Sequence, residues 1–205
     1  VARSPIAPAP PVVVKDGWEV SGRKAVGALT ITDCTPLAKL GVRAPVAGQL
    51  AATFPAGFGR AARDRDGTLV AGSGPGEWLL LALPGRAPAL AGAMERAAAA
   101  APADHASWVD LTHGRALIRL HGPSADRVLA KVCGIDLSGD ITPDGAAFRT
   151  AVAALATDVI RDDLRGTRSY LLHCERSSGQ YLFGALLSAG AEFGIEIDGF
   201  DPPGI

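Results

Sequence analysis

Two stretches of this chain follow one plan, and a chain that repeats a plan is constrained to fold both copies alike. The later copy runs Asp110-Leu-Thr112, then an alternating apolar segment, then Gly122-Pro-Ser-Ala125 at the start of a helical pattern. The earlier copy runs Asp33-Cys-Thr35, then Leu37-Ala-Lys-Leu-Gly-Val-Arg43, then Ala44-Pro-Val-Ala47. A second echo follows each, with Gly74-Pro-Gly-Glu-Trp78-Leu-Leu-Leu81 answering Gly166-Thr-Arg-Ser-Tyr170-Leu-Leu-His173. Alternating apolar runs joined by turn residues and broken by helical patterns predict an α+β fold of two pseudo-repeated strand/helix halves with antiparallel sheets. The 205 residues suffice to bury a core of this kind. The expected organisation is an extended arm over 1–26, a first half over 27–104, a second over 105–198 and a tail over 199–205.

Pro5, Pro8, Pro10 and Pro11 give the arm a polyproline-like character that cannot fold by itself. In the first half, an apolar segment ends at Asp33, a short strand covers Leu40 to Arg43, and a helix is expected after Pro45. Asp64-Arg-Asp-Gly67 reads as a turn, Glu77 to Leu83 as a strand ended by Pro84-Gly85, and the Ala-rich residues 87–101 as a helix stopped by Pro102. In the second half, Ser107–Leu111 and Ala116–His121 read as strands around a Thr112-His-Gly114 turn. Pro123 suits the first turn of a helix whose Ala125, Val128, Leu129 and Val132 share one face. Phe148 to Ile160 reads as one or two strands and Tyr170 to Glu175 as another. The last helix carries a capping-box spacing, Ser177 to Gln180, and Gly194 at its end.

Few of the usual chemistries find a foothold. A net charge of −1 leaves no basic field for nucleic acid. No apolar run is long enough to span a membrane, and Val1-Ala-Arg-Ser-Pro5 lacks the apolar core of a secretory signal. Cys34, Cys133 and Cys174 are odd in number and widely spaced, which predicts buried thiols in a reducing compartment, the cytoplasm, without a zinc site. Gly72-Ser-Gly-Pro-Gly76 is followed by a strand pattern, whereas a phosphate cradle needs a helix N-terminus there, so a turn is expected. His105, His113, His121 and His173 lack metal-ligand spacing, and His173 and Cys174, being adjacent in a strand, point to opposite faces. Arg161, Asp162, Asp163 and Arg165 read as a solvated or interfacial hairpin tip. Asp33 and Asp110 are expected to accept turn N–H bonds. With Trp78, His113 and Arg115 they form the set of structural or interface candidates, and no catalytic, cofactor-binding or metal-binding residue is assigned. The mean hydropathy of +0.21 leaves apolar surface for a partner to cover.

An ordered set of segments carries a family resemblance. Arg3-Ser-Pro-Ile6, Asp33-Cys-Thr-Pro-Leu-Ala-Lys-Leu40, Gly74 to Leu81, Val109-Asp-Leu-Thr-His-Gly-Arg115 and Leu120-His-Gly-Pro-Ser-Ala125 belong to it. Cys133-Gly-Ile-Asp-Leu137, Phe148-Arg-Thr150, Arg176-Ser-Ser178, Leu187 and Phe193-Gly194 continue it. From Arg3 to Ile197 the chain resembles the gamma subunits of heterotetrameric sarcosine oxidases. The resemblance implies half of the folate-binding aminomethyltransferase fold and a non-catalytic role in a complex that oxidatively demethylates sarcosine to glycine. It also implies alpha, beta and delta partner subunits that hold FAD, FMN, NAD, tetrahydrofolate and zinc, with no cofactor in this chain. The other readings are a stand-alone folate- or one-carbon-binding protein and the small subunit of a related N-methyl amino acid dehydrogenase.

Overall fold

The computed structural model of the protein describes residues 1–202, so the end of the expected tail (203–205) lies outside the described residues. In chain order the elements are β1 (Ala2–Arg3), β2 (Val12–Lys15), β3 (Trp18–Ser21), β4 (Thr30–Asp33) and β5 (Ala38–Arg43). Then come β6 (Ala61–Arg63), β7 (Leu69–Gly74), β8 (Glu77–Ala82), α1 (Ala87–Ala100), β9 (Ser107–Asp110) and β10 (Arg115–His121). The chain ends with α2 (Ala125–Ala130), β11 (Ala147–Val152), β12 (Leu155–Arg161), β13 (Ser169–Glu175), α3 (Gly179–Gly190) and β14 (Glu196–Asp198).

One large sheet runs β6-β7-β8-β5-β9 and the other β11-β12-β13-β10-β4-β14. Place by place, the first five strands of the two sheets correspond, so β8 with Trp78 occupies the position of β13 with Tyr170. The halves exchange one strand each. β4 pairs antiparallel with β10, and β9 pairs antiparallel with β5. The chain therefore crosses between sheets twice, at Asp33–Thr35 and at Asp110–Thr112. The six-stranded sheet is mixed, because β14 joins β4 in parallel after a return through α3, whereas the five-stranded sheet is antiparallel throughout.

The alternation of each strand sorts its side chains into layers. Leu40, Val42, Trp78 and Leu80 pack outward against Leu90 and Met94 of α1. Ile118, Leu120, Tyr170 and Leu172 pack outward against Val128 of α2 and Leu182 and Leu186 of α3. Between the sheets, Leu69, Leu79 and Leu81 meet Leu117, Ile160 and Leu171. The result is a helix–sheet–sheet–helix stack.

Four local expectations are corrected. Residues 1–26 hold a small sheet of order β1-β3-β2. Asp16-Gly17 forms the two-residue turn between β2 and β3 with φ of +49° and +79°, which suits a tight hairpin. After Pro45 there is one 3-10 turn, Ala51–Thr53, and no α-helix. There Asp104 accepts the Leu50 N–H (2.8 Å) and Thr53 Oγ1 bonds back to Leu50 O, while Phe54 turns extended ahead of Pro55. The capping box does not form at α3, whose N-cap is Ser178 without a side-chain bond. Gln180 instead accepts the Ala7 N–H of the N-terminal segment at 2.7 Å. Finally, the Arg161–Asp163 tip is largely interior: Asp162 is buried and bonded by Arg63 at 2.7 Å and Arg119 at 2.9 Å.

Candidate functional site: the crossovers and the inter-sheet cleft

At each crossover an aspartate bends the chain by bonding the amide two residues on. Asp33 accepts the Thr35 N–H at 2.9 Å and Asp110 accepts the Thr112 N–H at 2.8 Å. Each threonine then holds the opposite copy. Thr35 Oγ1 accepts the Leu117 N–H at 3.2 Å, and Thr112 Oγ1 accepts the Lys39 N–H at 3.1 Å. Cys34 N–H donates to Leu117 O and Leu111 N–H to Lys39 O, at 2.8 and 2.9 Å. The repeated Asp-x-Thr is a reciprocal clasp between the two copies, each threonine extending the pairing of an exchanged strand.

Lys39 lies fully buried beside this clasp. Its Nζ donates to Thr35 O at 2.6 Å and to Leu37 O at 2.9 Å. Burial pushes the amine down to about 7, against the opposing pull of Asp33, Cys34 and Asp110. Burial likewise raises the Asp33 carboxyl, partly offset by bonds from Ser4 and Thr35.

The remaining candidates hold structure in place. His113 stacks on Trp18 with ring centroids 4.7 Å apart and an 11° interplanar angle. Its carbonyl accepts from Arg176, which also bonds Arg3 O, so the second crossover is tied to the N-terminal segment. Trp78 donates from Nε1 to Ala56 O at 2.9 Å. Arg115 pairs with Glu175 at 2.6 Å. All three cysteines are buried and unpaired, and Cys34 and Cys174 are pushed up to about 11 by burial.

Trp78 and Arg115 are brought together in one place. They line a cleft of about 390 Å3 between the two large sheets, with Gly41, Val109, Asp158 and His173 among its walls. A chain of polar contacts rims it. Glu77 bonds Arg43 at 2.9 Å and Arg149 at 3.1 Å; Arg149 Nε bonds Asp158 at 2.7 Å; Asp158 faces His173 Nδ1 at 3.0 Å. Burial opposes ionisation of Asp158, yet the bonds from His173 and Arg149 together hold its carboxyl below the usual range. Desolvation holds the His173 imidazole down, so it is neutral near pH 7. Neutral imidazole donating Nδ1–H to Asp158 leaves Nε2 an acceptor.

Sequence reading left Lys39, Asp158 and Arg149 unmarked and found in His173 only a histidine without metal-ligand spacing. The signal for the Asp158–His173 pair is the antiparallel register of β12 and β13, which places the two directly opposite. As expected for neighbours in a strand, His173 faces the cleft while Cys174 faces the helix-side core.

Comparison with known proteins agrees with this architecture. The family model described as the GCVT N-terminal domain matches residues 64–201. The chain is 30% identical over 183 residues to the sarcosine oxidase subunit gamma of Corynebacterium sp. (strain U-96), covering 85% of this chain and 84% of that one. Among solved structures, the heterotetrameric sarcosine oxidase from Corynebacterium sp. U-96 in complex with pyrrole 2-carboxylate superposes with a TM-score of 0.70 at 28% identity, over 83% of this chain and 88% of that chain. An aminomethyltransferase from Geobacillus thermodenitrificans (strain NG80-2) is 36% identical over 86 residues, 42% of this chain but 23% of that protein.

Proposed function

Because the chain belongs both to the GCVT N-terminal domain family and to the family of sarcosine oxidase gamma subunits, we propose that it is a structural subunit of a heterotetrameric flavin-dependent oxidase that demethylates sarcosine to glycine. The observation that carries this reading is the match to a gamma subunit over 85% of this chain and 84% of that one, together with the shared fold. The partners are alpha, beta and delta subunits, and FAD, FMN, NAD, tetrahydrofolate and zinc reside in them. In keeping with that division, Gly72–Gly74 end β7 and Pro75-Gly76 is the turn into β8, so a strand and not a helix N-terminus follows these glycines. Among the described residues no group of three or more His, Cys, Asp and Glu could hold a metal ion.

Surface composition supports assembly. Phe58 and Ile141, 63% and 65% exposed, flank a groove with Ile135, Pro75 and Phe148. Val12, Val13 and Val14 of β2 are exposed as well. Covering apolar area of this kind contributes roughly 25 cal/mol per Å2 before ordering costs. No helix among the described residues is long and apolar enough to cross a membrane. A cytoplasmic assembly is the matching location.

Co-expression decides the point. An affinity-tagged chain is expected to be colourless and poorly soluble when produced alone, and to bring down a yellow complex with sarcosine-dependent oxidase activity when produced with its partners. A stable, yellow, monomeric chain would overturn the reading.

A further inference from the structure

The two large sheets have four edges, and the chain closes three of them with its own residues. Beside β6, Ala61 N–H donates to Gly145 O at 2.7 Å and Arg60 bridges to Ala146. Beside β11, Ala153 N–H donates to Val132 O at 2.8 Å and Cys133 bridges to Val152. Beside β14, the carboxylates of Glu196 and Asp198 take the N–H groups of Val26 (2.9 Å), Gly27 (3.1 Å) and Ala25 (3.0 Å). The fourth edge, β9, is open. Leu111 N–H bonds Lys39 O, so in an alternating antiparallel ladder Ser107 and Val109 also turn their main-chain groups to β5, while Trp108 and Asp110 turn theirs away. Among the described residues nothing bonds those outward main-chain groups. Ser107, Val109 and Asp110 are exposed, Val109 by 56%.

The doubled plan shows what belongs on such an edge. β4 holds in the six-stranded sheet the place that β9 holds in the five-stranded one, and Asp33 and Asp110 mark the same position in each. Ile31, two residues before Asp33, therefore matches Trp108. Ile31 is fully buried, with Ile197 of β14 as its parallel partner and Glu196 N–H on Leu29 O at 3.0 Å. After α3 the chain supplies β14; after α1 it passes Pro102 directly into β9, and the sixth place of the first sheet holds no strand among the described residues.

Val109 also lines the inter-sheet cleft. Arg43, Arg115 and Arg149 around that cleft are already paired, with Glu77, Glu175 and Asp158. A side chain arriving beside Val109 meets no free charge there, so an uncharged apolar residue fits. Four residues of edge bury far less than the roughly 1,200–2,000 Å2 of a stable interface. The occupant therefore belongs to a chain held over a wider surface, as a partner subunit is, and not to a second copy joined here alone.

We infer that β9 receives an extended segment of a partner subunit, paired in parallel in the place β14 takes beside β4, with main-chain bonds to Trp108 and Asp110 and an apolar side chain beside Val109. The inference rests on the assembly reading and names the surface through which that assembly is made.

Residue-resolved hydrogen–deuterium exchange on the assembled wild-type complex tests it, with a free peptide of the same sequence as the reference. The Trp108 and Asp110 amides are expected to exchange at least about fiftyfold more slowly in the complex than in the peptide. Smaller protection of either amide in an assembled, sarcosine-oxidising complex overturns the inference and leaves the assembly reading standing. Protection in a particle that holds only copies of this chain overturns it as well, and the absence of any complex with partners removes both readings. Val109→Lys places a charge on the open edge and is expected to lower co-purification of the partners at least about tenfold; undiminished co-purification counts against the inference. The wild-type exchange decides the matter even if that variant fails to fold.

Discussion

At the first crossover Lys39 is buried between the sheets; at the second, the place fixed by the same hydroxyl–amide bond holds Leu117. The turns above them are alike, each an aspartate bonded two residues on. Their closures differ. The second turn closes by two backbone bonds, from Gly114 and Arg115 onto Leu111 O. The first contains Pro36, which has no N–H to give, and closes by one backbone bond, Leu37 N–H to Cys34 O. The Lys39 amine supplies the rest by taking the carbonyls of Thr35 and Leu37. An amine does at one crossover what backbone donors do at the other, and burial lowers its affinity for a proton in return.

Substitutions can break this comparison in graded steps. Leu117→Ala is expected to cost about 2–5 kcal/mol in urea unfolding, because a fully buried leucine between two sheets leaves a cavity. A loss under about 1 kcal/mol would mean that the sheets close over the gap. Thr35→Val and Thr112→Val each orphan one amide of the opposite copy and are each expected to cost about 1–3 kcal/mol. If the clasp is reciprocal, a double-mutant cycle gives a coupling well above additivity error; a purely additive pair contradicts it.

Lys39 gives a pH signature that Leu117 cannot. Its amine is lowered from 10.5 to about 7 in the fold, so above pH 7 the unfolded chain binds more protons than the folded one. Stability must then rise with pH, at up to about 1.4 kcal/mol per unit. The useful window is pH 7 to 9, since Cys34 and Cys174, raised to about 11 from 9.0, act in the opposite direction above it. Lys39→Met is expected to flatten the rise over that window; an unchanged slope would assign it elsewhere. The smallest effect is expected from His113→Ala, about 0.5–1.5 kcal/mol for the lost stack, with a shift in Trp18 fluorescence as its marker.

Where turns were written in Asx, Gly or Pro chemistry, the sequence was legible. Asp64–Gly67 is a turn in which Asp64 accepts the Asp66 and Thr68 N–H groups. The Ala-rich segment is α1, and Glu77 to Ala82 is a strand. The hairpin between β11 and β12 was not resolved into two strands, because its turn is Ala153-Ala154 at φ of +48° and +65°, with no turn residue to announce it. Of the candidate site, Asp33 and Asp110 were readable as acceptors of local N–H bonds, since that bond spans two residues. The Asp158–His173 pair spans fifteen residues and needs a register, and the burial of Asp162 needs Arg63 from the other sheet.

By itself, then, the amino-acid order determined the doubled plan, the local turns and the faces of the helices, all of which rest on interactions within a few residues. Tertiary structure alone decided that β4 and β9 change places and that Lys39 and Leu117 occupy matched sites. It also decided that a polar cleft opens between the sheets. Those outcomes depend on which strands pair and on which side chains lose water together, and both are properties of the packed sheets.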